Sequence, residues 1–177
     1  MNETLKTMLS RRSIRAFLPE AVPQPLLDEI INAGLYAPSG MGRQSTVILA
    51  VTDKALRDEL MQMNAKIMGR EGTDPFYGAP CVLVVLADRN APTYLYDGAL
   101  TMGNLMLAAH ALGLGSCWIH RAKEEFDSPR GKEILKQYGI AGDYEGIGHC
   151  ILGYAAQTPQ PAERKEGRVF YAKENTK

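Results

Sequence analysis

An excess of charge of either sign is missing from this chain: twenty Lys and Arg offset twenty Asp and Glu, a formal net charge of +0 at pH 7. Nothing in that total favours a nucleic acid or an anionic membrane as partner, so any basic cluster is a local feature. Long apolar runs are missing too. None approaches the ~20 residues that cross a bilayer, and the opening MNETLKTMLSRR holds no apolar signal core, so the cytoplasm is the expected address. Cysteine is scarce. Cys81, Cys117 and Cys150 are odd in number, far apart and set among strand-forming residues, which reads as buried free thiols rather than disulfides or metal ligands. The three histidines show no ligand spacing, and no internal repeat divides the chain. Neither a phosphate-binding loop nor a dinucleotide fingerprint is present; GLGSC lacks the required third glycine.

What is there is one domain of 177 residues, long enough to bury roughly 70% of its unfolded surface. The stretch Tyr94 to Arg121 organises it. From Asp97 to Leu112 the side chains are apolar or small in nearly every direction, so the predicted helix must be buried. Gly113 ends it, and Leu114 to Ile119 reads as a strand. Gly98, Ala99, Gly103, Ala108, Ala109 and Ala111 invite close approach by another helix, either at a dimer seam or in the heart of a monomer. Around this centre we expect an N-terminal helix to about Arg11, a helix opened by Pro23 and Pro25, a strand Thr46 to Thr52 and a helix capped by Asp53. A continuously apolar strand Cys81 to Ala87, a helix Ser128 to Tyr138 and a last strand Tyr144 to Gly153 follow.

Past Gly153 the composition turns to proline and charge yet ends in Val169, Phe170 and Tyr171, unlike a disordered tail. The steps from Tyr154 to Tyr171 span roughly 55 Å when extended, against a radius of gyration of roughly 16 Å for a domain this size. The arm formed by residues 154–177 can therefore pair its last strand with a neighbouring subunit's sheet edge, or fold over its own domain.

Four side-chain groups could carry chemistry. Arg11, Arg12, Ser13 and Arg15 place three guanidiniums within five residues, as an anion site would, or as a solvated basic turn would. Arg164 and Lys165 in the arm could close over the same anion. The turn Ala37 to Gln44 offers Pro38, Ser39, Gly40 and Gln44, suited to a flat ligand or to ending a helix. His120 and Arg121 lie beyond the carboxyl end of a strand, where open sheets hold ligands. Cys117 has no histidine beside it and is not read as a nucleophile.

In combination, RRSIRAF, APSGMGRQ, NLMLAAHALGLGSCWI and GYAAQTPQPAERK, in that order and across essentially the whole chain, resemble the nitroreductase family of flavin mononucleotide (FMN) enzymes. The resemblance implies an α+β fold, a three-layer α-β-α homodimer with a mostly antiparallel central sheet, intertwined through an exchanged C-terminal arm. Two FMN molecules would lie at the interface. Arg11, Arg12, Ser13 and Arg15 would grip the flavin phosphate and pyrimidine edge, with Arg15 facing N1 and O2. Pro38, Ser39 and Gly40 would lie against the ring from the other subunit, with Gln44 near its edge. Backbone donors around Ile119, His120 and Arg121 would approach N5, Arg164 and Lys165 would complete the phosphate site, and Asn64 would serve the pyrimidine end. The implied activity is hydride transfer from NAD(P)H to the flavin and then, by a ping-pong cycle, to a nitroaromatic, quinone or related small-molecule acceptor; the alternative is a flavin store or sensor with little turnover. Gly42, Ser45 and Thr46 depart from the family pattern at the acceptor pocket, as do His120 and Arg121, where small or acidic residues are common.

Overall fold

Residues 1–172 are described by the computed structural model of the chain. Its elements are α1 (Glu3–Ser10), α2 (Gln24–Leu35), β1 (Thr46–Val51), α3 (Lys54–Ile67), β2 (Cys81–Asp88), α4 (Tyr94–Ala111), β3 (Gly115–Ile119), α5 (Ala122–Asp127), α6 (Pro129–Gln137) and β4 (Tyr144–Gly153). Side chains set several of these starts. The Leu56 N–H donates to Asp53 Oδ1 at 2.8 Å to open α3, and the Gly131 N–H donates to Ser128 Oγ at 3.0 Å to open α6, with Pro129 in its first turn. The short helix α5, not expected from sequence, begins directly after Arg121.

The four strands form one antiparallel sheet in the order β1-β2-β4-β3. Alternate residues of the strands feed two cores. Val82, Val84 and Leu86 meet Leu60 of α3, Phe126 of α5 and Ile134 of α6. Cys81, Leu83 and Val85 meet Leu27 and Ile30 of α2 and Met102 and Leu105 of α4. Helices therefore cover both faces, which is why β2 is apolar without alternation, and the fold is three-layered α+β. All three cysteines are buried and free. Burial pushes the Cys81 thiol up to about 12, and raises Cys150 as well, so neither is a thiolate at neutral pH.

The central helix differs from its expected full burial. Gly98 and Ala109 face the sheet, but Leu95, Tyr96 and Leu100 are 48%, 73% and 47% exposed, and a Cβ on Gly103 would meet nothing within 4 Å. Beside α4 packs α1, with no buried residue and with Leu5, Met8 and Leu9 exposed. The all-round apolar character of α4 thus divides into one face against the sheet and one face open in the single chain.

The base of the arm folds back on its own domain. Ala156 N–H donates to Ala16 O at 2.9 Å and Leu18 N–H to Tyr154 O at 2.9 Å, tying the arm to RRSIRAF. Farther on, no strand forms among the described residues; Val169 and Phe170 are exposed, and residues 173–177 of the expected arm lie outside the described residues. No described helix is long and apolar enough to cross a membrane.

Candidate functional site

The RRSIRAF segment lies along the sheet edge formed by β3. Ile14 N–H donates to Ser116 O at 2.9 Å, Ser13 bridges Ser116, and Ile14 packs so closely on Gly115 that a Cβ there would sit 2.9 Å from it. This anchoring leaves the flanking arginines in three different situations. Arg12 Nη1 donates to Leu9 O at 2.8 Å and Arg11 O at 2.7 Å, closing the C-terminus of α1. Arg11 Nη1 is buried and has no partner among the described residues; the same is true of Ser116 Oγ. Burial first, then the Arg11 and Arg12 guanidiniums, hold the neighbouring His110 imidazole below its ordinary value. An unpartnered guanidinium nitrogen and an unpartnered hydroxyl, on the segment and the strand that Ser13 bridges, are groups an anion could satisfy.

Arg15 is exposed and lines a cleft of about 370 Å³, within the size range of small-molecule sites. Trp118, Ile119, His120 and Arg121 form its wall at the end of β3, and Arg70, Thr73 and Tyr77 its rim on the loop after α3. Arg57, almost wholly buried, orders that loop: it donates to Asp74 at 2.7 Å and to Ala79 O at 3.1 Å, and lies 5.6 Å over the Phe76 ring. Neither Arg15 nor Arg70 has a side-chain partner among the described residues. Arg70 escaped sequence reading because it stands alone in a loop; only the fold brings it beside Arg15.

Asn64 lies under the cleft wall, fully buried. Its amide nitrogen donates to Glu125 Oε1 at 2.5 Å and to His120 O at 2.9 Å, and its oxygen accepts from Arg121 Nε at 3.0 Å. Glu125 Oε2 in turn meets His149 Nε2 at 2.9 Å, both residues fully buried. Arg121 itself has φ of 80°, the left-handed region that a residue with a side chain seldom adopts.

The turn that holds Pro38, Ser39, Gly40 and Gln44 lies elsewhere. It precedes β1, the opposite edge of the sheet from β3, so roughly 14 Å of sheet separates the two at ~4.8 Å per strand. Asp97 pins it to α4: Gly40 N–H donates to Oδ1 at 3.0 Å, and the Ser45 and Thr93 hydroxyls donate to Oδ2 at 2.7 and 3.0 Å. Burial raises the Asp97 carboxyl, but those three donors outweigh it and hold it below the ordinary value. Gly40 has no space for a side chain, since a Cβ would fall 2.2 Å from Thr93 Oγ1. Ser39 Oγ accepts from Gln44 N–H at 2.9 Å, keeping that hydroxyl inside the turn. Within one chain the fold brings Arg15, Ile119, His120 and Arg121 to one cleft, with Asn64 behind it, and keeps the turn away. Arg164 and Lys165 stand exposed on the arm and line neither this cleft nor the recess beside Arg12.

The profile of the nitroreductase family matches residues 8–154. The NADPH-flavin oxidoreductase of Vibrio harveyi is 33% identical over 96% of this chain and 72% of its own. A crystal structure of a nitroreductase with bound FMN from Bacteroides fragilis superposes with a TM-score of 0.88 at 29% identity, covering 98% of this chain and 100% of that one. One from Desulfitobacterium hafniense, also with bound FMN, gives 0.87 at 32% identity over 98% and 100%. With a family profile that spans both the arginine segment and the cleft, and with the three-layer fold shared over nearly its whole length, the chain belongs to the nitroreductase family.

Proposed function

We propose that two copies of this chain bind FMN between them and act as an oxidoreductase, drawing hydride from NAD(P)H and passing electrons to a nitroaromatic, quinone or related acceptor in a ping-pong cycle. The observation that carries the reading is the pair of orphaned buried donors, Arg11 Nη1 and Ser116 Oγ, on the same edge of the sheet as the unpartnered guanidinium of Arg15. A phosphate satisfies the first two, and an electron-rich ring edge suits the third. The similarity to an NADPH-flavin oxidoreductase and to two nitroreductases with bound FMN supports the choice of cofactor.

When bound, FMN would supply the two-electron hydride chemistry of the reaction. Arg15, next to the Ile14 anchor, would place its guanidinium beside the electron-rich pyrimidine edge of the ring, where it would stabilise negative charge. Arg11 with Ser13 would take the phosphate, Arg12 closes α1 behind them, and Arg164 and Lys165 would reach the site only by movement of the arm. Backbone N–H groups between Ile119 and Arg121, which line the cleft, would meet the ring edge. Pro38, Ser39, Gly40 and Gln44 complete the site only from a second copy, because in one chain they stand at the far edge of the sheet. The open apolar face of α4 and α1 supports that pairing: soluble monomers seldom leave such a patch uncovered.

Anaerobic mixing of FMN-loaded protein with NADH or NADPH tests the reading. Bleaching of the flavin within the mixing experiment, and recovery of its colour on adding a nitroaromatic or quinone, is expected. Bleaching over hours points instead to a flavin store or sensor, and failure to take up FMN ends the proposal.

A further inference from the structure

Beneath the corner where β3 passes into α5, four polar side chains form one hydrogen-bonded line: His149 to Glu125 at 2.9 Å, Glu125 to Asn64 at 2.5 Å, and Asn64 to Arg121 Nε at 3.0 Å. Phe76 and Phe126 enclose the imidazole, with ring centroids 5.1 and 6.5 Å away. Placing a carboxylate, an imidazole and an amide in an apolar layer is costly, and packing alone would be served as well by aliphatic residues. What aliphatic residues cannot do is hold a backbone carbonyl, and this line ends on one: Asn64 also donates to His120 O at 2.9 Å.

That bond fixes a peptide plane. The described residues hold no cis peptide bond, and in a trans peptide the C=O and the following N–H point in opposite directions. With His120 O drawn inward to buried Asn64, the Arg121 N–H is directed away from the core, on the side where His120 and Arg121 line the cleft. Arg121 is the residue before α5, so no carbonyl within that helix takes its N–H. A third bond, donated by Arg121 Nε to Asn64 Oδ1, ties the side chain of this left-handed residue to the same amide.

We propose that Asn64, held in turn by the buried Glu125–His149 pair, is a positioning residue that aims the Arg121 N–H into the cleft as a donor to the N5 edge of the flavin. The proposal rests on the flavin reading above. It gives Asn64 a role through the backbone, since both hydrogens of its amide are already committed to Glu125 and His120.

The test uses the full chain loaded with FMN, with 15N-arginine in the protein and 15N at flavin N5. In the native protein, FMN is expected to move the Arg121 amide proton downfield. In Asn64→Ala that displacement is lost, the flavin N5 resonance returns towards its unbonded position, and single-turnover hydride transfer slows by about tenfold or more, while FMN affinity falls by no more than the roughly tenfold that one hydrogen bond is worth. Glu125→Gln keeps an acceptor for Asn64 and is expected to retain both resonances. An Asn64→Ala protein with FMN bound and both resonances unchanged overturns the proposal. So does a native protein in which the Arg121 amide ignores FMN, a readout that stands even where the variant fails to fold. A native protein that takes up no FMN refutes the flavin reading itself, and this inference with it.

Discussion

Glu125→Ala is expected to lower the stability of the protein by about 3–5 kcal/mol, the usual cost of removing one member of a buried hydrogen-bonded ionisable pair. Glu125 is fully buried and serves two partners at once, His149 Nε2 and the Asn64 amide. Its removal strands a donor on each and leaves a cavity beside Phe126. The imidazole has no second partner to fall back on, because its Nδ1 is already buried without one. Glu125→Gln keeps oxygen towards Asn64 and, with the imidazole in its other tautomer so that Nε2 accepts, offers it an N–H, so its loss is expected to stay near ~1 kcal/mol, an ordinary hydrogen-bond difference. Urea denaturation checks both, read as a lower midpoint at unchanged slope. For a domain whose whole margin is roughly 5–15 kcal/mol, the alanine variant stands close to unfolding. A loss below about 1 kcal/mol in Glu125→Ala would show that the pair contributes little to the fold.

Arg11→Ala is expected to weaken FMN binding by about 10- to 150-fold, the range given by losing one charged hydrogen bond of ~1.5–3 kcal/mol. The same change is expected to leave the flavin-free protein as stable as before or slightly more so. Arg11 Nη1 is buried without a partner, so without the phosphate it is a cost to the fold rather than a support. Arg12→Ala should behave in the opposite way. Its Nη1 is bonded to the last carbonyls around α1, and losing it removes a helix cap with a smaller effect on FMN. Quenching of FMN fluorescence gives the affinities and thermal melts of the flavin-free proteins give the stabilities. Equal FMN affinity in Arg11→Ala and the native protein would remove the phosphate from this segment.

Much of the fold was legible in the sequence because local signals and global packing agree. Asp53 and Ser128 with Pro129 announce α3 and α6, and the unbroken apolar run of β2 announces helices on both faces. The segment AKEEFD was not legible as α5. Six residues give no period to read, and Glu125 looks like any surface glutamate until His149, on a strand 24 positions on, is folded against it. Asn64 was legible as a residue near the site but not for what it touches, since its partners lie 56 to 61 positions away. Arg70 joins the cleft for the same reason, through a loop ordered by Arg57 and Asp74 rather than by any motif.

The two halves of the site are a different case. RRSIRAF and APSGMGRQ read as parts of one ligand site, yet in a single chain they occupy opposite edges of a four-stranded sheet. Strand order is set by long-range pairing, which local pattern does not encode. The uniform apolar character of α4 carried the complementary information: it could not distinguish burial against the sheet from burial against another molecule, and both faces exist, Met102 and Leu105 on one and Leu95 and Leu100 on the other.

Native mass spectrometry of the protein saturated with FMN tests most directly whether two copies share the cofactor. The account predicts a single species at twice the 19.4 kDa chain mass carrying two FMN molecules, with flavin and pairing lost together as the complex is dissociated. Single chains that each retain FMN would contradict it, because the turn at Pro38 to Gly40 would then have no part in holding the ring.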